Sequence, residues 1–141
     1  MPNWCENRVE VYAEAEEIKR FREYVSDGDL LFSFQKIKPI PEDLVHTRSP
    51  SGEPNIELTD KYGVDNWYDW CIENWGVKWD VHDVELEEGG DYITYRFDTP
   101  WGPPNEIYNL IREEFPDINL SWFYDEPGME MAGYLGTSQA W

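Results

Sequence analysis

The sequence predicts an α+β fold, an antiparallel sheet of four to five strands carrying about three helices mainly on one face. Three observations support it. Short period-two apolar alternations interleave with stretches of helical spacing along the whole chain. Gly89-Gly90, set between two alternating segments, marks a tight hairpin turn. Two strand–helix–strand stretches, around residues 7–37 and 91–124, enclose one further helix and strand.

Taken in order, the first strand is predicted over Asn7–Ala13, with Val9 and Val11 on one face and Arg8, Glu10 and Tyr12 on the other. A helix follows over about Ala15–Ser26. Ile18, Phe21 and Val25 recur at helical spacing, Glu14, Glu16 and Glu17 favour its N-terminal end, and Gly28 can end it. A second strand is predicted over Leu31–Ile37, burying Phe32 and Phe34 or, in the opposite register, Leu31 and Ile37, and stopping at Pro39. Residues 39–60 read as a long connection punctuated by Pro39, Pro41, Pro50 and Pro54, with Ser49-Pro50-Ser51-Gly52 its most loop-like part.

Asn66 or Asp65 then caps a helix through Asn74, with Gly76 just past its end and Trp67, Trp70, Cys71 and Asn74 on one face. Trp79–Glu87 and Asp91–Asp98 form the hairpin, Ile93, Tyr95 and Phe97 alternating in the second arm. Trp101-Gly102-Pro103-Pro104 breaks the pattern and starts a helix over about Asn105–Phe115, striped by Ile107, Leu110, Ile111 and Phe115. The last full strand is Ile118–Tyr124, and Glu130–Leu135 adds a short edge strand. A ferredoxin-like sandwich with an inserted helix satisfies this order, as one domain spanning residues 1–141.

Composition narrows the class. Eight Trp, nine Tyr and six Phe argue against disorder despite the polar average, and 141 residues can bury a core without metals or disulfides. No stretch is apolar for the roughly 18 residues a membrane span needs, and no secretory signal is visible at the N-terminus. A cytoplasmic protein with Cys5 and Cys71 as reduced thiols is expected.

Thirty carboxylates against eleven Lys and Arg give a formal net charge of −19. Residues 1–62 hold 13 acids and 8 bases, a balance of −5, whereas residues 63–141 hold 17 acids and 3 bases, a balance of −14. This disfavours direct binding to a nucleic-acid backbone, which needs cations to displace counterions. It favours steering toward basic partners.

Several segments together carry a family resemblance. Met1-Pro2-Asn3-Trp4-Cys5-Glu6-Asn7-Arg8-Val9, Pro39-Ile40-Pro41-Glu42, Asn66-Trp67-Tyr68-Asp69-Trp70, Asn74-Trp75-Gly76-Val77-Lys78-Trp79-Asp80, Phe97-Asp98-Thr99-Pro100-Trp101-Gly102-Pro103-Pro104 and Tyr124-Asp125-Glu126-Pro127-Gly128-Met129 occur in this order. The chain resembles the YubB-type family, small proteins with a ferredoxin-like domain carried mostly by phages, prophages and plasmids. Gly102 stands where the family pattern has Ser. The resemblance implies the fold and a mobile-element origin, and no activity.

Candidate sites are few. Four tryptophans fall between Trp67 and Trp79; Trp67 and Trp70 read as core, while Trp75 and Trp79, flanking Gly76, are candidates for a cleft rim with Trp101 and Trp4. Cys5, Cys71, His46 and His82 lack the close spacings of zinc sites, so no metal or cofactor is expected. No phosphate loop, serine elbow or Cys–His pairing is visible, so no enzyme is expected; Asp69 and Glu73, one turn apart, are the least weak acid pair.

Asp80, Asp83, Glu85, Glu87, Glu88 and Asp91 place six acids in twelve residues of the hairpin. Strands about 4.8 Å apart, with alternate residues about 6.6 Å apart, can present anions at intervals comparable to nucleic-acid phosphates. The leading expectation is therefore a non-enzymatic interaction protein that binds a basic protein, such as a host nuclease or defence factor, by presenting a DNA-like acidic face. The alternative is a small-ligand or glycan-binding module built on Trp75, Trp79 and Trp101.

Overall fold

The computed structural model describes residues 3–47, 55–81 and 83–136. Nine-residue β1 (Trp4–Tyr12) lies at the centre of a five-stranded antiparallel sheet. The others are β2 (Glu85–Glu88), β3 (Tyr92–Pro100), β4 (Asn119–Glu126) and β5 (Met131–Tyr134), in the spatial order β2-β3-β1-β4-β5. β1 runs parallel to β2 with β3 between them, and β3 runs parallel to β4 with β1 between them. Two interleaved strand–helix–strand units of this kind make the sheet of a ferredoxin-like α+β fold, with β5 added at one edge.

Alternation explains the sheet's two faces. Cys5, Asn7, Val9 and Val11 of β1 and Ile93, Tyr95, Phe97 and Thr99 of β3 are buried on the inner face. Against it pack α1 (Ala15–Val25) through Ile18, Phe21 and Val25, and α6 (Asn105–Glu114) through Ile107 and Ile111. Trp122 of β4 closes the core, its Nε1–H donating to Asn7 Oδ1 at 3.0 Å. Asn7 Nδ2 in turn donates to Thr99 Oγ1 at 2.9 Å, so the Asn7 amide is paired on both its atoms behind the sheet's centre.

The first strand–helix–strand unit differs from the sequence expectation. Leu31–Ile37 is not a strand. Phe32 and Phe34 are buried and Leu31 exposed, as one register predicted, but Phe34–Ile37 forms the single-turn helix α2. Part of the cause lies far away in sequence. Asp80 Oδ1 accepts from Phe34 N–H at 2.7 Å, and its Oδ2 accepts from Gln35 N–H and Ser33 Oγ–H, both at 3.1 Å. Ser33 is the N-cap of α2, its Oγ accepting from Lys36 N–H at 3.2 Å, and Asp80 braces that cap and the two N–H groups after it, so β2 becomes the strand that follows α1 in the sheet.

Between them lie three more helices, α3 (Glu42–Val45), α4 (Ile56–Tyr62) and α5 (Trp67–Asn74). The connection expected at 39–60 thus carries helical turns; its Ser49-Pro50-Ser51-Gly52 stretch lies outside the described residues. Six α-helices are described where about three were expected, and the three anticipated ones, α1, α5 and α6, are the longest. β2 also starts later than expected. Asp80 is turned inward and Asp83 takes φ of 58°, so the chain reaches the sheet only at Glu85.

Candidate functional site

The side of the sheet opposite α1 and α6 is largely exposed, and its rows follow from register. One row aligns Asp98, Glu6 and Asp125 across β3, β1 and β4. The next aligns Glu85, Arg96, Arg8 and Phe123 across β2, β3, β1 and β4, and the third begins with Glu87, Thr94, Glu10 and Ser121. Rows sit two residues apart along the strands, about 6.6 Å. The face therefore stacks a carboxylate row beside a row with two adjacent guanidiniums.

A groove of about 510 Å³ runs over these rows. Arg8 and Arg96 line it together with Glu6, Asp98, Asp83 and Glu85, and Trp4, Trp79 and Phe123 supply aromatic surface. Trp4 and Trp79 meet at 6.1 Å between ring centroids, and Lys78 Nζ lies 4.5 Å from the Trp79 centroid. Trp79 also borders a second, more apolar cavity of about 290 Å³, with Ile40, Val45, Trp67 and Trp75. One tryptophan thus separates the two hollows.

The two arginines are differently placed. The Arg8 guanidinium lies over the Phe123 ring at 5.1 Å, and its Nε is 2.8 Å from Glu10 Oε1. That contact is an ion pair without hydrogen-bond alignment, because Nε–H has no acceptor in line. Arg96 makes no ion pair among the described residues, although Glu85 is its neighbour in register. Like charges directly opposite across a ladder repel. Both the Arg8–Arg96 and the Glu6–Asp98 pairs have that arrangement.

The hairpin acids divide by this geometry. Asp80 is half-buried, its carboxylate also accepting from Val81 N–H at 2.8 Å; it lies away from the groove, beside the second cavity, with both oxygens engaged by the chain itself. Glu88 projects toward the helical side and pairs with Arg22 at 2.9 Å. Asp83 and Glu85 line the groove, Glu87 is exposed on the same face one row away, and Asp91 is exposed at the turn. The six acids do not form one array. The contiguous acidic row is Asp98, Glu6 and Asp125, which the hairpin sequence alone does not indicate.

The tryptophans divide as well. Trp79 and Trp4 stand at the groove, as a cleft-rim pair. Trp75 does not: it is 2% exposed, and its Nε1–H donates to Lys38 O at 2.9 Å. The helical face that α5 buries holds Trp70 and Cys71, and Trp75 continues it, edge-on to Trp70 at 5.8 Å. Trp101 is 49% exposed but is not among the groove-lining residues. Asp69 is engaged locally, its Oδ2 accepting from Asn66 Nδ2 at 3.0 Å, and Glu73 is exposed one turn further along α5. His82 lies outside the described residues.

Both cysteines are buried and unbridged, and burial pushes each thiol up to about 12. Neither is therefore a thiolate nucleophile at neutral pH. Among the described residues no three His, Cys, Asp or Glu side chains cluster as metal ligands would. No described helix is long and apolar enough to cross a membrane.

Residues 74–140 match the family model described as the ferredoxin-like domain in Api92-like protein. The match takes in β2, β3, α6, β4 and β5, and with them Trp79, Asp83, Glu85, Arg96, Asp98 and Phe123 of the groove; Trp4, Glu6 and Arg8 come from β1, outside it. The crystal structure of a protein api92 from Yersinia pseudotuberculosis is similar over 95% of this chain and 93% of that one, with a TM-score of 0.62 and 13% identity. At that identity the similarity is one of fold. No curated protein matches the chain.

Proposed function

We propose that the chain is a non-catalytic binding protein that receives a basic protein surface on the exposed face of its sheet. The observation that carries this reading is the row Asp98–Glu6–Asp125, three carboxylates on three adjacent strands with no ion pair among the described residues. Glu10, Asp83, Glu85 and Glu87 extend the negative field around it, and Arg8 and Arg96 offset only part of it. Strand spacing of about 4.8 Å sets the interval between the carboxylates, which supports competition with a nucleic-acid strand for the partner's site. Long-range attraction by a chain of net charge −19 speeds encounter with a cationic surface and repels polyanions.

The resemblance to the YubB-type family supports a mobile-element setting, in which a basic host nuclease or defence factor is a fitting partner, met in the host cytoplasm. Partner capture from host lysate at several salt concentrations tests the reading. The triple variant E6Q/D98N/D125N should lose the captured basic protein, DNA should compete for it, and wild-type capture should weaken as salt rises. Capture that is insensitive to salt and to the triple variant contradicts the proposal.

The aromatic groove favours a second reading, a small-ligand module, but on Trp4 and Trp79 rather than on Trp75 and Trp101.

A further inference from the structure

We propose that the groove is a specific site for a small zwitterion, an α-amino acid with an apolar or aromatic side chain. The inference goes beyond the basic-partner reading and does not depend on it. It starts from Arg96. In a chain with only 3 basic residues in its last 79, one is exposed in the groove, opposite a second arginine and without an ion pair among the described residues. A basic partner gains nothing from that pair, because it would be repelled by both guanidiniums. A carboxylate seated between them relieves their mutual repulsion and accepts forked N–H donors from each. Arg8 is held in place for this role by its stacking on Phe123 and by Glu10.

The remaining groups select the rest of the ligand. A simple anion has to enter against the field of a −19 chain and then faces Glu6 and Asp98 in the neighbouring row. A ligand of zero net charge avoids the long-range penalty, and an ammonium beside its carboxylate meets that acidic row. Trp4, Trp79 and Phe123 supply apolar surface for a side chain, and about 510 Å³ falls within the ordinary size of small-molecule sites, roughly 300–1,000 Å³.

The test uses the whole chain and three probes: phenylalanine, phenylacetate (carboxylate only) and phenethylamine (ammonium only). Two-dimensional NMR follows the indole N–H signals of Trp4 and Trp79 during titration. Phenylalanine should shift both saturably, with each one-charge analogue weaker by about ten-fold or more, the loss of one charge-assisted contact. Arg96→Gln should weaken phenylalanine by a similar factor, while Glu113→Gln on α6 should leave it unchanged. No saturable shift with phenylalanine, equal binding of phenethylamine, or an unaffected Arg96→Gln variant overturns the proposal. Arg96→Gln removes a charge that opposes a basic partner, so capture of such a partner should persist in it, and the two readings fail separately.

Discussion

Replacing Asp80 with alanine removes an acceptor that four donors share: Phe34 N–H, Gln35 N–H, Ser33 Oγ–H and Val81 N–H, at 2.7 to 3.1 Å. A hydrogen bond to a charged group contributes about 1.5–3 kcal/mol net, and bonds sharing one carboxylate do not add. Asp80 is half-buried, so water reaches some of the freed donors. A loss of about 3 kcal/mol follows for Asp80→Ala. Asp80→Asn should lose about 1–2 kcal/mol, because one of the two oxygens becomes a donor facing donors. With a urea slope of about 2 kcal/mol per molar, the alanine variant's midpoint should fall by about 1.5 M. Glu85→Gln and Glu87→Gln, exposed neighbours in the same hairpin, should stay within about 0.5 kcal/mol of wild type. Equilibrium urea unfolding followed by tryptophan fluorescence measures all four. An Asp80→Ala midpoint within about 0.3 M of wild type would refute the assignment of Asp80 as the acceptor that holds the start of α2.

Three further outcomes follow from the packing. Trp75→Phe should cost about 1–2 kcal/mol, chiefly through the lost bond to Lys38 O, and Trp75→Ala about 4 kcal/mol, read from the same unfolding curves. Gly76 has φ of 92° and a Cβ there would lie 2.8 Å from Asn105 N at the start of α6, so Gly76→Ala should cost about 2–4 kcal/mol and lower the thermal midpoint. Cys5 and Cys71 are held as thiols up to about 12 when folded, against about 8.5 unfolded. Above the unfolded value the unfolded chain binds fewer protons, so stability should fall as pH rises from about 9 toward 12, by at most about 1.4 kcal/mol per pH unit for each thiol. Below about 8.5 the two thiols should add no pH dependence, and native protein at pH 8 should resist iodoacetamide, as mass spectrometry would show.

Elements whose signal is local were legible in the sequence. The alternation of Val9 and Val11 and of Ile93, Tyr95 and Phe97, and the helical recurrence of Ile18, Phe21 and Val25, all bury as their periods require. Leu31–Ile37 was misread, because Phe32 and Phe34 alternate like a strand while Ser33 caps a helical turn and a carboxylate more than forty residues later accepts from its first N–H groups. Trp75 misled for a related reason. It lies next to Gly76 at the end of α5 and looks like a rim residue, but Lys38, distant in sequence, accepts its indole N–H inside the core.

The site shows the same limit. Trp4 and Trp79 were both visible as candidates, and their pairing at 6.1 Å gives the groove its wall. The acidic run of the hairpin was equally visible, yet its residues point to both sides of the sheet. Glu6, Asp98 and Asp125 are separated by long stretches of chain, and only the registers β1–β3 and β1–β4 set them in one row. Nothing in the local pattern marks Arg8 and Arg96 as partners either.

The exposed sheet face as the binding surface is tested most directly by carbodiimide footprinting of carboxylates, with and without the captured basic partner. Protection concentrated at Glu6, Asp98 and Asp125, with Glu106, Glu113, Glu114 and Asp117 on and beside α6 unchanged, is the predicted result. Protection of the α6 acids, with the sheet-face carboxylates still labelled, would contradict it.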